Sequence, residues 1–463
     1  MSLPMYREYK DSGVSWLQSV PAHWSVLRLK YACMVFPSNV DKHFRDDEPS
    51  VQLCNYTDVY YNEKITADMQ FMEASASADQ IAKFTLQAGD TIITKDSETA
   101  DDIAIAAYVP EDLPGVVCGY HLSMIRPYSG TSGAFVKRLF DSIYAKARFA
   151  VAANGLTRVG LGQYALDNVE LPFPPFDEQV AIAAFLDRET AQIDALIAEQ
   201  EKLIALLVEK RQATVSHAVT KGLNPNAPRK DSDVAWLGEV PAHWKVGKAG
   251  FYISVLPGYA FSSTGFSLDD NNVKLLRGIN VGVGELKWDE VVYWSRTEAD
   301  GLDAFELEAG DVVIGMDRPL ISTGMRVALV KKQDLPCLLL QRVAKIRPGA
   351  LVEGRFMMRL LSSRAFEAHF APETTGVSVP HISGEQIANF VIPVPPLDEQ
   401  TRICNFLDAE FAKLDALTHE AERAIALFIE RRAALISAAV TGQIDVRGIR
   451  SQTIAESSEA IAA

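Results

Sequence analysis

Apolar residues recur at spacings of three and four over two long stretches of this chain. Such spacing places apolar side chains on one face of an α-helix, and it persists for about forty residues, close to the heptad repeat of helices that pack on another helix. The positions predicted to form the buried face are Leu186, Ile193, Ile204, Leu207, Leu407, Leu414, Ile425 and Phe428. We predict two long helices that pair as an antiparallel coiled coil, each roughly 60 Å long at about 1.5 Å per residue. The alternative is that each helix packs only on its own globular domain.

Each helical stretch opens on the same short motif. It reads Pro-Phe-Pro-Pro-Phe-Asp-Glu-Gln in the first copy and Pro-Val-Pro-Pro-Leu-Asp-Glu-Gln in the second. Prolines suit the residues just before a helix, and an aspartate side chain can accept hydrogen bonds from the first free backbone amides. The sequence therefore predicts Asp177 and Asp398 as helix caps, and helix ends near Gly222 and Gly442, where the periodicity stops.

The remainder of the chain is duplicated as well. The motif Trp-Leu-x-x-Val-Pro-Ala-His-Trp begins at Trp16 and again at Trp236. Ala-Gly-Asp and Ile-Arg-Pro also occur in both halves, among short apolar runs and helical stretches. Turn residues bound these runs, as expected for strands. We predict an α+β fold in which two similar globular domains are separated by two long helices that form an antiparallel coiled coil, with a pseudo-twofold internal repeat.

The predicted boundaries follow the repeats. They are 1–170 for the first domain, 171–222 for the first spacer helix, 223–392 for the second domain, 393–447 for the second spacer helix and 448–463 for a flexible tail. Outside the shared motifs the two halves differ heavily. Two modules that share a framework and recognise different targets would show this pattern.

Bulk composition narrows the class of protein. The chain has 463 residues, 48% of them hydrophobic, which suffices for two or three domains with cores. The sequence has neither an apolar run long enough to cross a bilayer nor a signal-peptide pattern, so we predict a cytoplasmic protein. The five cysteines lack the spacing of a zinc or redox pair. The net charge of −15 argues against a nucleic-acid partner unless basic surface is local or comes from other subunits.

Sequence motifs for catalysis are missing or incomplete. The chain lacks the Asn/Asp-Pro-Pro-aromatic motif of an adenine methyltransferase and the Gly-Lys-Ser/Thr phosphate loop of an ATPase. A glycine motif at 160–165 lacks the surrounding strand and helix of a dinucleotide site. Asp270 and Glu285 have the spacing of a nuclease metal site, but a surface loop explains them better, and His23 and His243 suit structural roles beside the tryptophans. We predict a non-catalytic chain without a metal site.

The two duplicated motifs resemble those of the specificity subunit of a type I restriction-modification enzyme. The resemblance covers essentially the whole chain and implies two target-recognition domains that read a bipartite site in double-stranded DNA. It also implies two modification subunits that dock on the helices and bring S-adenosylmethionine for adenine-N6 methylation, and restriction subunits that use ATP and Mg. One departure is that the first helix closes with Thr-Lys-Gly, where the family commonly has Thr-Gly. A helix pair of roughly 60 Å would limit the gap between half-sites to about eighteen base pairs.

Polar and basic side chains on the loops are the candidates for reading bases. Side chains of these types form the hydrogen bonds to base edges and phosphates. The candidates are Lys95, Ser97, Tyr120, His121, Arg126 and Arg158 in the first domain, and Arg277, Arg296, Arg318, Arg342, Lys345 and His381 in the second. An alternative function is a non-catalytic coiled-coil adaptor whose two ligand-binding domains are not specific for DNA. This alternative predicts that the assembled complex has no salt-sensitive affinity for DNA.

Overall fold

A computed structural model describes residues 3–297, 300–321, 324–374 and 380–448. The chain forms two compact units. Unit 1 contains the described residues up to Gln200 and from Arg423 onward, and unit 2 contains Glu201–Glu422. Most of the predicted tail, from residue 449 on, lies outside the described residues. Each unit therefore combines one globular domain with parts of both long helices.

Unit 1 is built from short strands and helices that lead into a long helix. Its strands are β1 Tyr9–Asp11, β2 Ser19–Pro21, β3 Ser25–Arg28, β4 Cys33–Pro37, β5 Ser50–Cys54, β6 Met72–Ser75, β7 Thr85–Leu86, β8 Thr91–Thr94, β9 Asp96–Ser97, β10 Ala106–Tyr108, β11 Leu113–Cys118, β12 Leu122–Pro127, β13 Val159–Gly160 and β14 Glu170–Phe173. Its helices are α1 Tyr56–Tyr60, α2 Ala78–Phe84, α3 Gly133–Asp141, α4 Ile143–Ala152, α5 Gln163–Asn168 and α6 Phe176–Lys221, of which the last part belongs to unit 2.

Two sheets organise unit 1. An antiparallel sheet has the order β10-β8-β12-β4. A second sheet has the order β6-β5-β11-β7 and contains the parallel pair β5 and β11. Strand β14 pairs with β3 and leads directly into α6, so the helix begins at the edge of the folded domain.

Unit 2 has a similar order of elements, with 3₁₀ turns at Gly278–Asn280 and Asp303–Phe305 where unit 1 has α1 and α2. Its strands are β15 Arg229–Asp231, β16 Glu239–Pro241, β17 Lys245–Lys248, β18 Ile253–Pro257, β19 Val273–Leu276, β20 Val283–Gly284, β21 Tyr293–Trp294, β22 Val312–Gly315, β23 Leu320–Ile321, β24 Gly324–Met325, β25 Val327–Leu329, β26 Cys337–Leu339, β27 Val343–Pro348 and β28 Val391–Val394. Its helices are α7 Gly354–Leu361, α8 Arg364–Thr374, α9 Gly384–Asn389 and α10 Leu397–Val440, of which the last part belongs to unit 1.

The two main sheets of unit 2 resemble those of unit 1 in strand order. The order β18-β27-β22-β25-β20 repeats β4-β12-β8-β10 and adds one strand at its edge. The order β21-β19-β26 repeats β6-β5-β11 and keeps the parallel pair, here β19 and β26. The predicted α+β class and internal repeat are therefore confirmed.

Two of the duplicated motifs contact each other inside each domain. The arginine of Ile-Arg-Pro forms a two-pronged ion pair with the aspartate of Ala-Gly-Asp. Arg126 binds Asp90 at 2.7 and 2.8 Å, and Arg347 binds Asp311 at 2.7 and 2.8 Å. Both aspartates are buried, and a planar guanidinium matches a carboxylate in this geometry. The pair explains why both motifs occur twice: together they join neighbouring antiparallel strands.

The starts of the long helices differ in detail from the prediction. The amides of Glu178 and Gln179 donate to the carbonyl of Pro175 at 2.9 and 3.0 Å, and the second copy repeats this arrangement at Pro396. Asp177 and Asp398 lie inside the first helical turn, so their prediction as caps is wrong. Their charge still favours the positive end of the helix dipole.

The ends of the helices are as predicted. Gly222 and Gly442 follow within two residues of the last helical turn, with φ of +72° and +74°. Glycine adopts this left-handed conformation without steric cost. Neither position has room for a side chain, because a Cβ on Gly442 would lie 2.3 Å from Pro21 and one on Gly222 would lie 3.1 Å from Trp244.

Within each unit, the start of one long helix packs against the end of the other. In unit 1, Leu186 shares a core with Ile436, and Arg432 forms an ion pair of 3.0 Å with Asp194. In unit 2, Val215 shares a core with Leu407. The equivalent ion pair joins Arg211 of α6 to Asp415 of α10. The helices therefore run antiparallel, as predicted, and their ends also pack on the globular domains.

The predicted helix-pair core is buried to different degrees. Leu186, Ile193, Leu207, Leu407 and Leu414 are buried, whereas Ile204, Ile425 and Phe428 are half-buried. Of the buried positions, Leu186, Leu207, Leu407 and Leu414 belong to cores that a helix shares with a globular domain. Among the described residues, no helix combines the length and hydropathy needed to cross a membrane.

The Glu-Gln pair that opens each long helix fastens it to the domain. Gln179 donates to the carbonyl of Pro174 and accepts from the amide of Ser132, both at 2.8 Å. Gln400 makes the same two contacts with Pro395 and Glu353, also at 2.8 Å. A buried amide side chain that satisfies two backbone groups fixes the angle at which the helix leaves the domain.

Candidate nucleic-acid interface

A carboxylate in unit 1 holds two predicted base-reading residues at the domain surface. Asp96, the first residue of β9, lies 2.8 Å from Nδ1 of His121 and accepts a hydrogen bond of 2.9 Å from Arg158. Both partner side chains are about half exposed. The carboxylate therefore orients one imidazole and one guanidinium, and their remaining nitrogens can contact another molecule.

Tyr120 and Lys95 extend this cluster. The ammonium of Lys95 lies 4.4 Å from the centre of the Tyr120 ring and donates to the carbonyl of Ser38 at 3.2 Å. Burial lowers the pKa of Lys95. Tyr120 is exposed and borders a cavity of about 300 Å³ that Asn55 and His121 also line. The cluster thus combines a cation, an exposed aromatic ring and polar side chains, which suits contact with nucleic acid.

A carboxylate at the equivalent position anchors the corresponding cluster in unit 2. Asp317 lies 221 residues after Asp96 and contacts Nδ1 of His381 at 2.7 Å and Nε of Arg342 at 3.3 Å. Arg318 follows it with an exposed side chain that has no polar partner among the described residues. A cavity of about 870 Å³ is bordered by Asp317, Arg318, Gln341 and Arg342. Unit 2 therefore presents two arginines at this place, where unit 1 presents Lys95 and Arg158.

The two clusters occupy the same place in the repeated framework. His121 immediately precedes β12, and Arg342 immediately precedes the equivalent strand β27. Gly160 pairs with Asp96, and His381 pairs with Asp317. The strands hold equivalent positions in the two units, while the side chains at these positions differ. This combination is expected of two modules that recognise different sequences.

Four predicted reading residues belong to the framework. Arg126 is held by Asp90, as described above. Lys345 is buried and donates to the carbonyls of Ala304 and Glu306 at 2.8 and 2.9 Å. Arg296 is bound by a set of carboxylates, namely Asp300, Asp303 and Glu306. Arg277 is half-buried and donates to the carbonyl of Glu290 at 2.8 Å. Most of their donors bind groups of their own domain, which indicates a structural role, and their contact with bases stays a prediction.

Ser97, a predicted base-reading residue, is buried, and its hydroxyl lies 3.5 Å from Asp102. It therefore supports the cluster from below the surface. Two further residues, Asp96 and Asp317, were not predicted, because direct readout was expected from Arg, Lys, Asn, Gln or Ser and not from carboxylates. Their signal in the sequence is recurrence at the same offset as the shared motifs, which marks them as common to both halves.

The histidines of the Val-Pro-Ala-His-Trp motifs have structural partners. Nε2 of His23 lies 2.8 Å from Glu178, and Nε2 of His243 lies 2.7 Å from Glu399. These contacts join the motif to the first turn of a long helix. Within the described ranges, no group of three or more His, Cys, Asp or Glu residues could hold a metal ion.

Comparison with known proteins identifies the family. Residues 45–205 and 274–426, more than half of the chain, match the family described as Type I restriction modification DNA specificity domain. This chain belongs to that family. The first matched segment contains the Asp96 cluster and the second contains the Asp317 cluster. The function of the chain is DNA sequence specificity in a type I restriction-modification system, and the adaptor alternative is not favoured.

Individual relatives agree with this assignment. The chain is 27% identical over 314 residues to the type I restriction enzyme MjaVIII specificity subunit of Methanocaldococcus jannaschii, covering 67% of this chain and 71% of that protein. It is 33% identical over 208 residues to the type I restriction enzyme EcoAI specificity subunit of Escherichia coli, covering 45% of this chain and 34% of that protein.

A solved structure shares the fold. It is described as the structural basis underlying complex assembly and conformational transition of the type I R-M system, and one of its chains is similar to this protein with a TM-score of 0.69. The sequence identity is 17%, and the match covers 91% of this chain and 98% of the other. At this identity the likeness concerns the fold alone.

Proposed function

We propose that each unit reads one half of a bipartite site in double-stranded DNA through its Asp-anchored cluster. The observation that carries the proposal is that Asp96 and Asp317 hold different reading side chains at the same strand ends. Direct readout needs donors and acceptors held in fixed positions against base edges. A carboxylate that fixes one edge of an imidazole or guanidinium provides such positions.

The reading residues that support this proposal form two sets. They are Lys95, Tyr120, His121 and Arg158 in unit 1 and Arg318, Arg342 and His381 in unit 2. Exchanging residues 1–170 for those of a relative is expected to change one half of the recognised sequence. Sequencing of methylated DNA from a host that carries the intact system measures this directly, and a change in both halves would contradict modular reading.

The chain is proposed to be non-catalytic and to work with subunits that supply the chemistry. Two modification subunits would bind along the long helices and bring S-adenosylmethionine for adenine-N6 methylation, and restriction subunits would use ATP and Mg. Several apolar side chains on α6 are exposed and available for such a partner, among them Leu203, Leu206 and Val208. The net charge of −15 also supports a partner that contributes basic surface against DNA phosphates.

The central experiment compares the chain alone with the chain plus its modification subunit. We expect the lone chain to methylate nothing, and the assembled complex to bind one duplex sequence with salt-sensitive affinity. Methylation by the lone chain would overturn its non-catalytic role. Binding without any sequence preference in the assembled complex would overturn the reading role.

The length of the long helices is proposed to set the gap between the half-sites. α6 has 46 residues and α10 has 44, and one helical turn adds about 5.4 Å, or one to two base pairs of DNA. Insertion of one turn after Leu203 and after Leu417 together is expected to lengthen the gap in the methylated sequence. An unchanged gap in a complex that still methylates would refute this measuring role.

A further inference from the structure

We propose that Arg342 reads a guanine in the half-site bound by unit 2, whereas His121 at the equivalent position in unit 1 makes a single hydrogen bond to its base. This inference rests on the proposed function, because it assigns a base to a residue of the reading cluster. It concerns one position in one half-site, so it can fail while the reading function stands.

The first argument is the way the backbone presents Arg342. The residue lies between the exposed Gln341 and the buried strand β27, and its carbonyl accepts a hydrogen bond of 2.9 Å from the amide of Met316. Its φ is +69°, a conformation that is uncommon for residues other than glycine. The side chain is 72% exposed. A long cationic side chain is therefore held at its base and directed away from the core.

The second argument is which edge of the guanidinium remains available. Asp317 engages Nε at 3.3 Å, and among the described residues Nη1 and Nη2 have no hydrogen-bond partner. Asp317 is itself fixed, since its other oxygen contacts His381 at 2.7 Å. Two parallel N–H groups match O6 and N7 of guanine in the major groove. A lysine at this place would offer a point charge without this fork.

The third argument comes from the neighbouring arginine. Arg318 is exposed and has no anchoring carboxylate among the described residues, although it borders the same cavity. An unanchored cation suits phosphate, which is recognised by charge and carries no sequence information. An anchored guanidinium suits a base edge, because base discrimination requires a fixed orientation. The two arginines therefore have different roles, and Arg342 is the specificity-determining one.

His121, at the equivalent position in unit 1, has fewer donors and acceptors available than Arg342. Nδ1 of His121 lies 2.8 Å from Asp96, so only Nε2 remains for another molecule. One nitrogen can form one hydrogen bond to a purine edge, and it cannot repeat the two-bond contact with guanine. The two half-sites are therefore expected to differ at this position in how strongly one base is preferred.

The test uses the full chain assembled with its modification subunit. The recognised sequence is first read from methylated host DNA, and affinities are then measured for duplexes in which each base of each half-site is replaced in turn. We expect the original complex to prefer guanine at one position of one half-site by about 5- to 150-fold, the range for a two-bond contact. In R342A this preference should fall to nearly onefold, with the other half-site unchanged.

Three further variants separate the possible outcomes. R342K should retain much of the affinity without the guanine preference, and D317N should weaken the preference by about threefold because the arginine loses its anchor. K332A removes an exposed lysine elsewhere in unit 2 and should leave every preference unchanged. Circular dichroism and binding of the modification subunit show that each variant is folded. If R342A does not fold, R342K and D317N decide the matter.

Two results would overturn the inference. A uniform loss of affinity over all sequences, with a weaker salt dependence, would assign Arg342 to phosphate contact. Unchanged guanine preference in R342A or R342K would assign that base to another residue. If the original complex shows no sequence preference at all, the proposed reading function itself fails, which is a different outcome from both.

Discussion

Unit 1 and unit 2 place the same residues where the domain meets the first turn of a long helix, but unit 1 gives them more partners. Glu178 is buried and accepts hydrogen bonds from Tyr6 and Trp24 while it contacts His23. Glu399 contacts His243, and the indole nitrogen of the buried Trp244 has no hydrogen-bond partner among the described residues. The repeat thus preserves positions, and the neighbouring residues decide how many donors each carboxylate satisfies.

The same contrast holds where the domain packs along the helix. Arg138 is 6% exposed and forms ion pairs with Glu63, Asp141 and Asp187. Its equivalent in unit 2, Arg359, is 18% exposed and pairs with Asp408. A buried charge depends on its partners more than an accessible one, because water cannot replace them. Equal positions in a repeat therefore do not imply equal energies.

The largest effect that tests this contrast is expected at the two arginines. R138A should lower the free energy of unfolding of unit 1 by about 3 kcal/mol, since it removes the nearly buried guanidinium that three carboxylates share. R359A should lower that of unit 2 by about 1 kcal/mol, because its surroundings are more accessible to water. Hydrogen exchange followed by mass spectrometry measures both values by region. Equal losses of stability in the two units would contradict the proposed difference between Arg138 and Arg359.

The next effect concerns the carboxylates at the helix starts. E178A should destabilise unit 1 by about 2 kcal/mol, because the Tyr6 hydroxyl and the Trp24 indole lose their acceptor in a buried place. E399A should destabilise unit 2 by less than about 1 kcal/mol, since His243 is half exposed and water can replace the contact. Urea unfolding followed by tryptophan fluorescence measures the loss. A greater loss for E399A would reverse the ranking.

The smallest effect is a difference in acid sensitivity. Burial opposes ionisation of Glu63, but Lys137 and Arg138 outweigh it and lower its pKa from 4.5 to about 2. A lowered pKa in the folded state means that the carboxylate stabilises unit 1 above pH 4.5 and that this contribution is lost as the pH falls toward 2.

E63Q should therefore give unit 1 a shallower dependence of stability on pH between 4.5 and 2 and leave unit 2 unaffected. Thermal unfolding followed by region-specific hydrogen exchange over that pH range is the measurement. E73Q, which removes an exposed glutamate elsewhere in unit 1, is the matched control. A slope in E63Q as steep as that of the control would contradict the assigned role of Glu63.

The comparison also shows how framework and reading residues could have been separated from the sequence. Arg126 recurs as Arg347, each with its aspartate 36 residues earlier, and recurrence of both members indicates a pair common to the two domains. His121 is replaced by Arg342, and this difference lies between recurring strands. Recurrence of a residue together with its partner indicates a framework role, and an exposed residue that changes between recurring strands is a candidate for reading.

The sequence by itself determined the duplication, the α+β class and the two long helices. The reason is that a helix depends on local hydrogen bonds and on an apolar face that repeats every few residues, and both can be read along the chain. The same locality explains why Gly222 and Gly442 marked the helix ends correctly.

Only the tertiary structure decided which charged side chains are available to contact another molecule. Asp96 is brought to His121 across 25 residues and to Arg158 across 62, and Lys345 is buried against carbonyls 41 and 39 residues away. Contacts between residues so far apart in sequence depend on how the strands pair and on which face of the domain is covered. The residue type alone does not reveal either of these. A lysine that reads DNA and a lysine that completes a core are identical in the sequence, and their surroundings distinguish them.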